Sequence, residues 1–152
     1  MRDCIFCQII NGTAHVSLIH RDEVVWVFLS TLPANPGHTL VIPRQHVRLL
    51  QEMDEPTGRH LFTITMRTQQ ALRKSSLRCE AATLFLADGT AASQAIPHLH
   101  LHVIPRFVDD GFKLNATGGV TTRHSPVPRE QLDSTAEGIR QTYEALWRDH
   151  TA

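Results

Sequence analysis

The chain has 152 residues, about one domain's worth. Its 15 Lys+Arg balance 15 Asp+Glu, so a partner held by a basic field, nucleic acid first among them, is not expected. The composition, 41% apolar and 20% charged, is that of a globular domain, and the longest apolar run, residues 24–29, falls far short of the ~20 that span a bilayer.

In chain order, residues 4–10 (CIFCQII) carry apolar side chains at helical spacing and stop at Asn11-Gly12. Residues 16–20 and 24–29 read as strands joined by the polar turn Arg21-Asp22-Glu23. Pro33-Ala34-Asn35-Pro36-Gly37 is a loop, because its prolines and glycine suit turns and not a strand interior. Residues 38–42 (HTLVI) form a short strand closed by Pro43. From about Glu55 to Lys74 the period becomes helical, with Leu61, Ile64, Ala71 and Leu72 as the buried stripe and Pro56 near the start. Residues 83–86 and 98–104 read as strands. The stretch 107–126 is polar and has no assignable element. Leu132, Ala136, Ile139, Tyr143 and Leu146 mark a last helix, with Pro128 near its first turn. Antiparallel strands plus two long helices predict an α+β domain.

An odd count of three cysteines is no disulfide framework. Cys4 and Cys7 form a C-x-x-C pair, open to a redox reading or to half of a zinc site, and zinc needs two further ligands. Cys79 stands alone and reads as a small, partly buried residue. The opening Met1-Arg2-Asp3-Cys4 lacks a signal peptide's apolar stretch, and a cytoplasmic protein is expected.

The informative segment is Pro97-His98-Leu99-His100-Leu101-His102-Val103-Ile104-Pro105. Alternation puts the three histidines on one strand face and Leu99, Leu101 and Val103 on the other. Three imidazoles on an otherwise apolar strand are costly to bury without a use. They are open to a solvated edge, a metal site, or nucleophilic catalysis by one imidazole, whose neutral form can attack phosphorus.

H-L-H-L-H-V-I resembles the signature of the histidine triad (HIT) superfamily. Further segments agree in order: residues 4–10; Val27-Phe28-Leu29 followed by Pro33; the G-H-x-L-V-I-P-x-x-H run from Gly37 to His46; Gln94 four residues before His98; and Ile104-Pro105-Arg106. The likeness covers about residues 4–110 and is nearest to the bacterial, zinc-containing, nucleoside phosphoramidase-like branch. It implies one HIT domain over residues 1–152, with an antiparallel sheet of about five strands, a long central helix and a C-terminal helix.

It also implies roles. His100, the middle histidine, is the expected nucleophile on the α-phosphorus of a nucleoside 5′-phosphoryl compound, a purine nucleotide conjugate for instance. His102 and Gln94 hold non-bridging oxygens. Cys4, Cys7, His46 and His98 bind a structural, non-catalytic Zn²⁺. Ile5, Phe6, Ile9 and Phe28 line an apolar cleft for the base, with Ser30 at the ribose position. A homodimer is implied as well, with Glu55–Lys74 as the candidate interface helix. His38 is expected to pack or hydrogen-bond near the turn, without a chemical role.

Departures fall in the substrate site. Ser30 stands where many members have a ribose-binding Asp, Ala87 where Asn is frequent, Ser93 where Gly precedes the Gln, and Ala95 where a Ser donor follows it. One hydroxyl cannot accept from two ribose hydroxyls as a carboxylate can. Two functions are therefore implied: a hydrolase of phosphoramidates, acyl-adenylates or dinucleoside polyphosphates, and a nucleotide-binding or scaffolding protein with weak turnover.

Overall fold

A computed structural model describes residues 4–114, 120–121 and 126–148. Five antiparallel strands, β1 (Leu18–Arg21), β2 (Val25–Leu29), β3 (Thr39–Pro43), β4 (Ala81–Leu86) and β5 (Leu101–Arg106), form one sheet in the order β1-β2-β3-β5-β4. A two-residue pairing, β6 (Lys113–Leu114) with β7 (Val120–Thr121), follows. Helices are α1 (Ile5–Ile10), α2 (Glu55–Lys74) and α3 (Arg129–Trp147). The α+β class, the five-stranded sheet and both long helices agree with the sequence reading. Among the described residues no helix is long and apolar enough to cross a membrane.

The sheet is covered on both faces, which is why β2 and β3 are buried at every position. Val25, Val27, Leu29, Val41, Leu101 and Val103 pack under α2 and α3. Alternate residues Trp26, Phe28, Leu40 and Ile42 pack on the other face with Phe6 and Ile9 of α1. A six-residue helix has too few internal hydrogen bonds to persist alone, so α1 owes its order to this contact and to the site it carries. Asp54 caps α2 by accepting from the Thr57 N–H at 2.8 Å. In α3 the stripe Leu132, Ala136, Ile139 and Tyr143 is buried, but Leu146 is 39% exposed, and the partly buried Trp147 closes that end of the core in its place.

The strand expected at 98–104 begins at Leu101 and runs on to Arg106. The ladder with β3 pairs Thr39 with Val103, Leu40 with His102 and Val41 with Leu101. Continued, that register would set residue 99 opposite Pro43, which has no N–H to donate. The chain turns out of the sheet there: Leu99 N donates to Val47 O at 2.7 Å, and the Pro43 carbonyl accepts from the His98 ring at 2.8 Å. Pro105 fits inside β5 because the pairing with β3 has already ended at Val103. Gly37 turns with φ +83°, and a Cβ there would lie 2.5 Å from Leu77 Cδ1, so glycine is required twice over.

Candidate active site and metal centre

Segment 98–102 links two constellations. At its start, His98 is fully buried beside α1. Its Nδ1 lies 3.6 Å from Cys4 Sγ and 3.7 Å from Cys7 Sγ, while His46 Nδ1 lies 3.2 Å from Cys7 Sγ. All four donor atoms fall within 4.8 Å of one another. Tetrahedral zinc with ordinary Zn–S and Zn–N bonds would set its ligands about 3.5–3.8 Å apart, so the cluster needs little adjustment to close on the ion. The His98 Nε2–H donates to the Pro43 carbonyl at 2.8 Å, which leaves the Nδ1 lone pair facing the sulfurs. This Cys₂His₂ set fits zinc and offers no fifth, open position. Burial and the adjacent Cys4 push the Cys7 thiol up, the reverse of the lowered value a redox-active thiol needs.

The second constellation runs from His100 to His38. His100 Nδ1–H donates to the carbonyl of His98 at 2.7 Å. A carbonyl only accepts, so the neutral ring keeps its lone pair on Nε2. The Ala34 N–H donates to His38 Nδ1 at 3.0 Å, so the proton of neutral His38 sits on Nε2. That proton is donated to His102 Nδ1 at 2.8 Å, which leaves His102 with an N–H at Nε2. The rings of His100 and His102 are 4.8 Å apart, nearly edge to face. Main-chain groups thus set one ring up as acceptor and its neighbour as donor. Burial lowers the pKa of His100, and burial together with His100 lowers that of His102 to about 4. Both are neutral near pH 7.

Phe6 meets His100 at 5.3 Å, His98 at 5.6 Å and Phe28 at 5.5 Å between ring centroids, so α1 braces both constellations. Phe6, Ile9 and Phe28 are buried core residues between α1 and the sheet, whereas Ile5 is 42% exposed on the outer side of α1. Gln94 is spoken for at both ends of its amide: Oε1 accepts from Gly89 N at 2.9 Å and Nε2 donates to Arg48 O at 2.9 Å. It braces the loop before the histidines. Ser30 lies at the end of β2, its N–H on His38 O and its hydroxyl accepting from Leu32 N at 3.3 Å. It borders a cleft of about 230 Å³ between the β2–β3 loop and α3. Ser93 sits at φ +66°, a left-handed conformation that costs a non-glycine residue about 1 kcal/mol, which gives the glycine usual there its physical reason.

His38, left without a role in the sequence, is brought by the fold into the hydrogen-bond chain that ends on His102. Its contact with His102 spans 64 residues and depends on the β3–β5 register. The only local sign was its place in the G-H-x-L-V-I-P run.

Comparison with known proteins agrees with this geometry. A HIT-like protein of Borreliella burgdorferi, itself uncharacterized, is 38% identical over 113 residues, 74% of this chain and 81% of that one. The adenylylsulfatase HINT3 of Arabidopsis thaliana is 32% identical over 104 residues, 68% of this chain and 52% of that one. A zinc-bound histidine triad family protein from Mycobacterium smegmatis superposes with a TM-score of 0.82 at 29% identity, covering 98% of this chain and 99% of that one. The model of the HIT domain matches residues 11–109, and with the three histidines of segment 98–102 in place, the chain belongs to the HIT family.

Proposed function

We propose that the chain hydrolyses nucleoside 5′-phosphoryl conjugates through a nucleotidyl-histidine on His100. The observation that carries this is the proton pattern: His100 Nδ1–H is tied to the His98 carbonyl, and the His102 ring beside it has Nδ1 filled by His38. The Nε2 lone pair of His100 attacks the α-phosphorus, and the bond to the leaving group breaks, with its electron pair going to that group. The Nε2–H of His102 donates to a non-bridging oxygen as charge builds there, an electrostatic contribution that needs no metal. Water then attacks the same phosphorus and the P–N bond breaks with its electron pair returning to His100 Nε2; the proton released by the water balances the pair carried off by the leaving group, and a nucleoside monophosphate leaves with neutral His100 restored. Zinc bound by Cys4, Cys7, His46 and His98 acts as a structural staple for α1.

Of the residues that the family likeness sets around a purine base, Phe6 and Phe28 form the buried backing and Ile5, 42% exposed, is the one that offers surface to it. The adenylylsulfatase relative supports a nucleotide conjugate as substrate. A second reading, nucleotide binding with weak turnover, draws on Gln94, whose amide is already bonded to main chain, and on Ser30 at the ribose position. A C-x-x-C pair placed with two histidines as a zinc ligand set, and not as a disulfide framework, suits the cytoplasm. A homodimer is proposed across the edge strand β4, where Leu84 is 42% exposed, and the α2 face with Phe62 and Met66, 49% and 46% exposed.

The test is intact mass spectrometry after an acid quench, with adenosine 5′-phosphoramidate and a panel of other nucleoside conjugates. A transient gain of one nucleoside monophosphate, lost in His100→Ala, is the expected result. Binding without adduct or turnover would give the second reading the lead. Native spectra of the same sample read the dimer.

A further inference from the structure

The loop that carries Ala34 and His38 is tied to β2 at its ends, where Ser30 N donates to His38 O at 2.9 Å beside the Leu29–Thr39 pair, but no ladder joins it to β5. β3 parts from β5 after the Thr39–Val103 pair, and Ala34 and His38 lie beyond it. The loop's anchor is Asn35, which is only 6% exposed. Its Nδ2 donates to Pro105 O and to Asp110 Oδ2, both at 2.8 Å, and its own carbonyl accepts from His38 N at 3.0 Å. Asp110 is in turn fixed from several sides. Its carboxylate, with the side chain 4% exposed, accepts from Arg106 Nε at 2.6 Å and Nη2 at 3.0 Å, and from the N–H groups of Phe112 at 3.0 Å and Phe107 at 3.3 Å. Arg106 is itself held by Thr83 Oγ1 at 3.0 Å and by the Phe112 carbonyl at 3.1 Å. Arg106 keeps the carboxyl well below the ordinary carboxylate range.

A paired, hydrogen-bonded buried carboxylate is a stiff point, because removing any one donor leaves a charge uncompensated. Stiffness at this point reaches the histidines through few bonds. Asn35 follows Ala34 directly, and the Ala34 N–H decides which nitrogen of His38 carries the proton. His38 then decides the same for His102.

We propose that Asp110 and Asn35 are positioning residues for His102: by fixing the β2–β3 loop they hold the Ala34–His38–His102 chain in the one proton arrangement that presents an N–H to the substrate. This rests on the phosphoryl-transfer reading of the site. A network that only closed the 107–112 loop would leave the imidazole tautomers indifferent to it.

The experiment is nitrogen NMR of the full, zinc-loaded chain with labelled histidines, together with steady-state kinetics on adenosine 5′-phosphoramidate. Asp110→Ala removes the carboxylate. Asn35→Ser removes the amide from the other side and spares the Arg106–Asp110 pair, so it serves where the first variant does not fold. In both, the ring nitrogens of His38 and His102 should move from one fixed tautomer toward an average of two. kcat should fall about tenfold with KM within about twofold, as expected for a misplaced proton donor. Asp110→Asn, which keeps an oxygen for Asn35, should restore both readouts. Folded Asp110→Ala or Asn35→Ser protein with unchanged ring nitrogens overturns the proposal. If the unmodified protein turns over no conjugate, the parent reading fails, yet the ring nitrogens still decide whether the clamp sets the tautomers.

Discussion

The two ends of segment 98–102 treat the same side chain in opposite ways. At His98 the main chain takes the Nε2 proton, so the Nδ1 lone pair faces two thiols and the ring is equipped to hold a cation. At His102 another imidazole fills Nδ1, so the outward nitrogen carries a proton and the ring is equipped to meet an anion. His100 lies between, with its lone pair on the outer nitrogen. Within four residues, one residue type is set up to meet a cation, to offer a lone pair or to offer an N–H, according to which hydrogen-bond partner reaches it. Residue type sets what an imidazole can do; its hydrogen-bond partner sets what it does.

The largest break in this comparison comes from the metal end. Cys7→Ala, or stripping with a strong chelator, should lower unfolding free energy by about 3 kcal/mol or more, because metal binding energy is folding energy for α1. In a chain of this size that is roughly 6–12 °C in Tm by calorimetry. An unchanged Tm together with a metal-free native protein would remove the staple from the account.

The next test concerns the neutral end. Burial and His100 lower His102 to about 4, and burial lowers His20 despite Asp22 beside it. Both folded values lie below the unfolded imidazole value of about 6.5, so the unfolded chain binds protons first as pH falls. For His102 the neutral-state stability is whole above pH ~6.5, drains between pH ~6.5 and ~4 and is gone below, about 3 kcal/mol in all, and His20 adds a loss of the same sign. Urea unfolding across that window should show the loss, and His102→Gln should flatten its share of the slope.

The smallest effect is the sharpest. His38→Ala leaves His102 Nδ1 without its donor and should lower kcat about tenfold, or ~1.4 kcal/mol in barrier. Zinc content, measured by atomic emission, should not change. A variant that lost both would mean that the two ends are not separate devices.

Much of this architecture was legible in the chain. The unbroken apolar run 24–29 marks a strand buried on both faces and the helical period of Glu55–Lys74 a helix buried on one, because the apolar pattern reports burial. The ligand set was legible through the family likeness, since Cys4 and Cys7 alone leave two positions open. What escaped depends on contacts across the sequence. The late start of β5 turns on Pro43, more than fifty residues upstream, and the part played by His38 turns on a strand register. The bonds of the Gln94 amide to Gly89 N and Arg48 O are likewise not displayed by the local pattern. Leu146 obeyed the α3 spacing but lies at the helix end, where the core runs out.

Pro105 also bears on how this protein can change. It lies in β5 beyond the last pairing with β3, and the neighbouring loop is attached there by the Asn35 side chain instead of a ladder of backbone bonds. A ladder transmits an insertion as a slipped register, with every side chain turned to the wrong face. A side-chain joint transmits nothing of the kind. Ser30, Pro33 and Ala34 border the cleft, and residues 31–33 can be lengthened or exchanged while strands and helices keep their places, provided that Asn35 still reaches its carboxylate and the Ala34 N–H still reaches His38. The fold thereby keeps its three histidines on a fixed frame and one wall of the cleft on a detachable one.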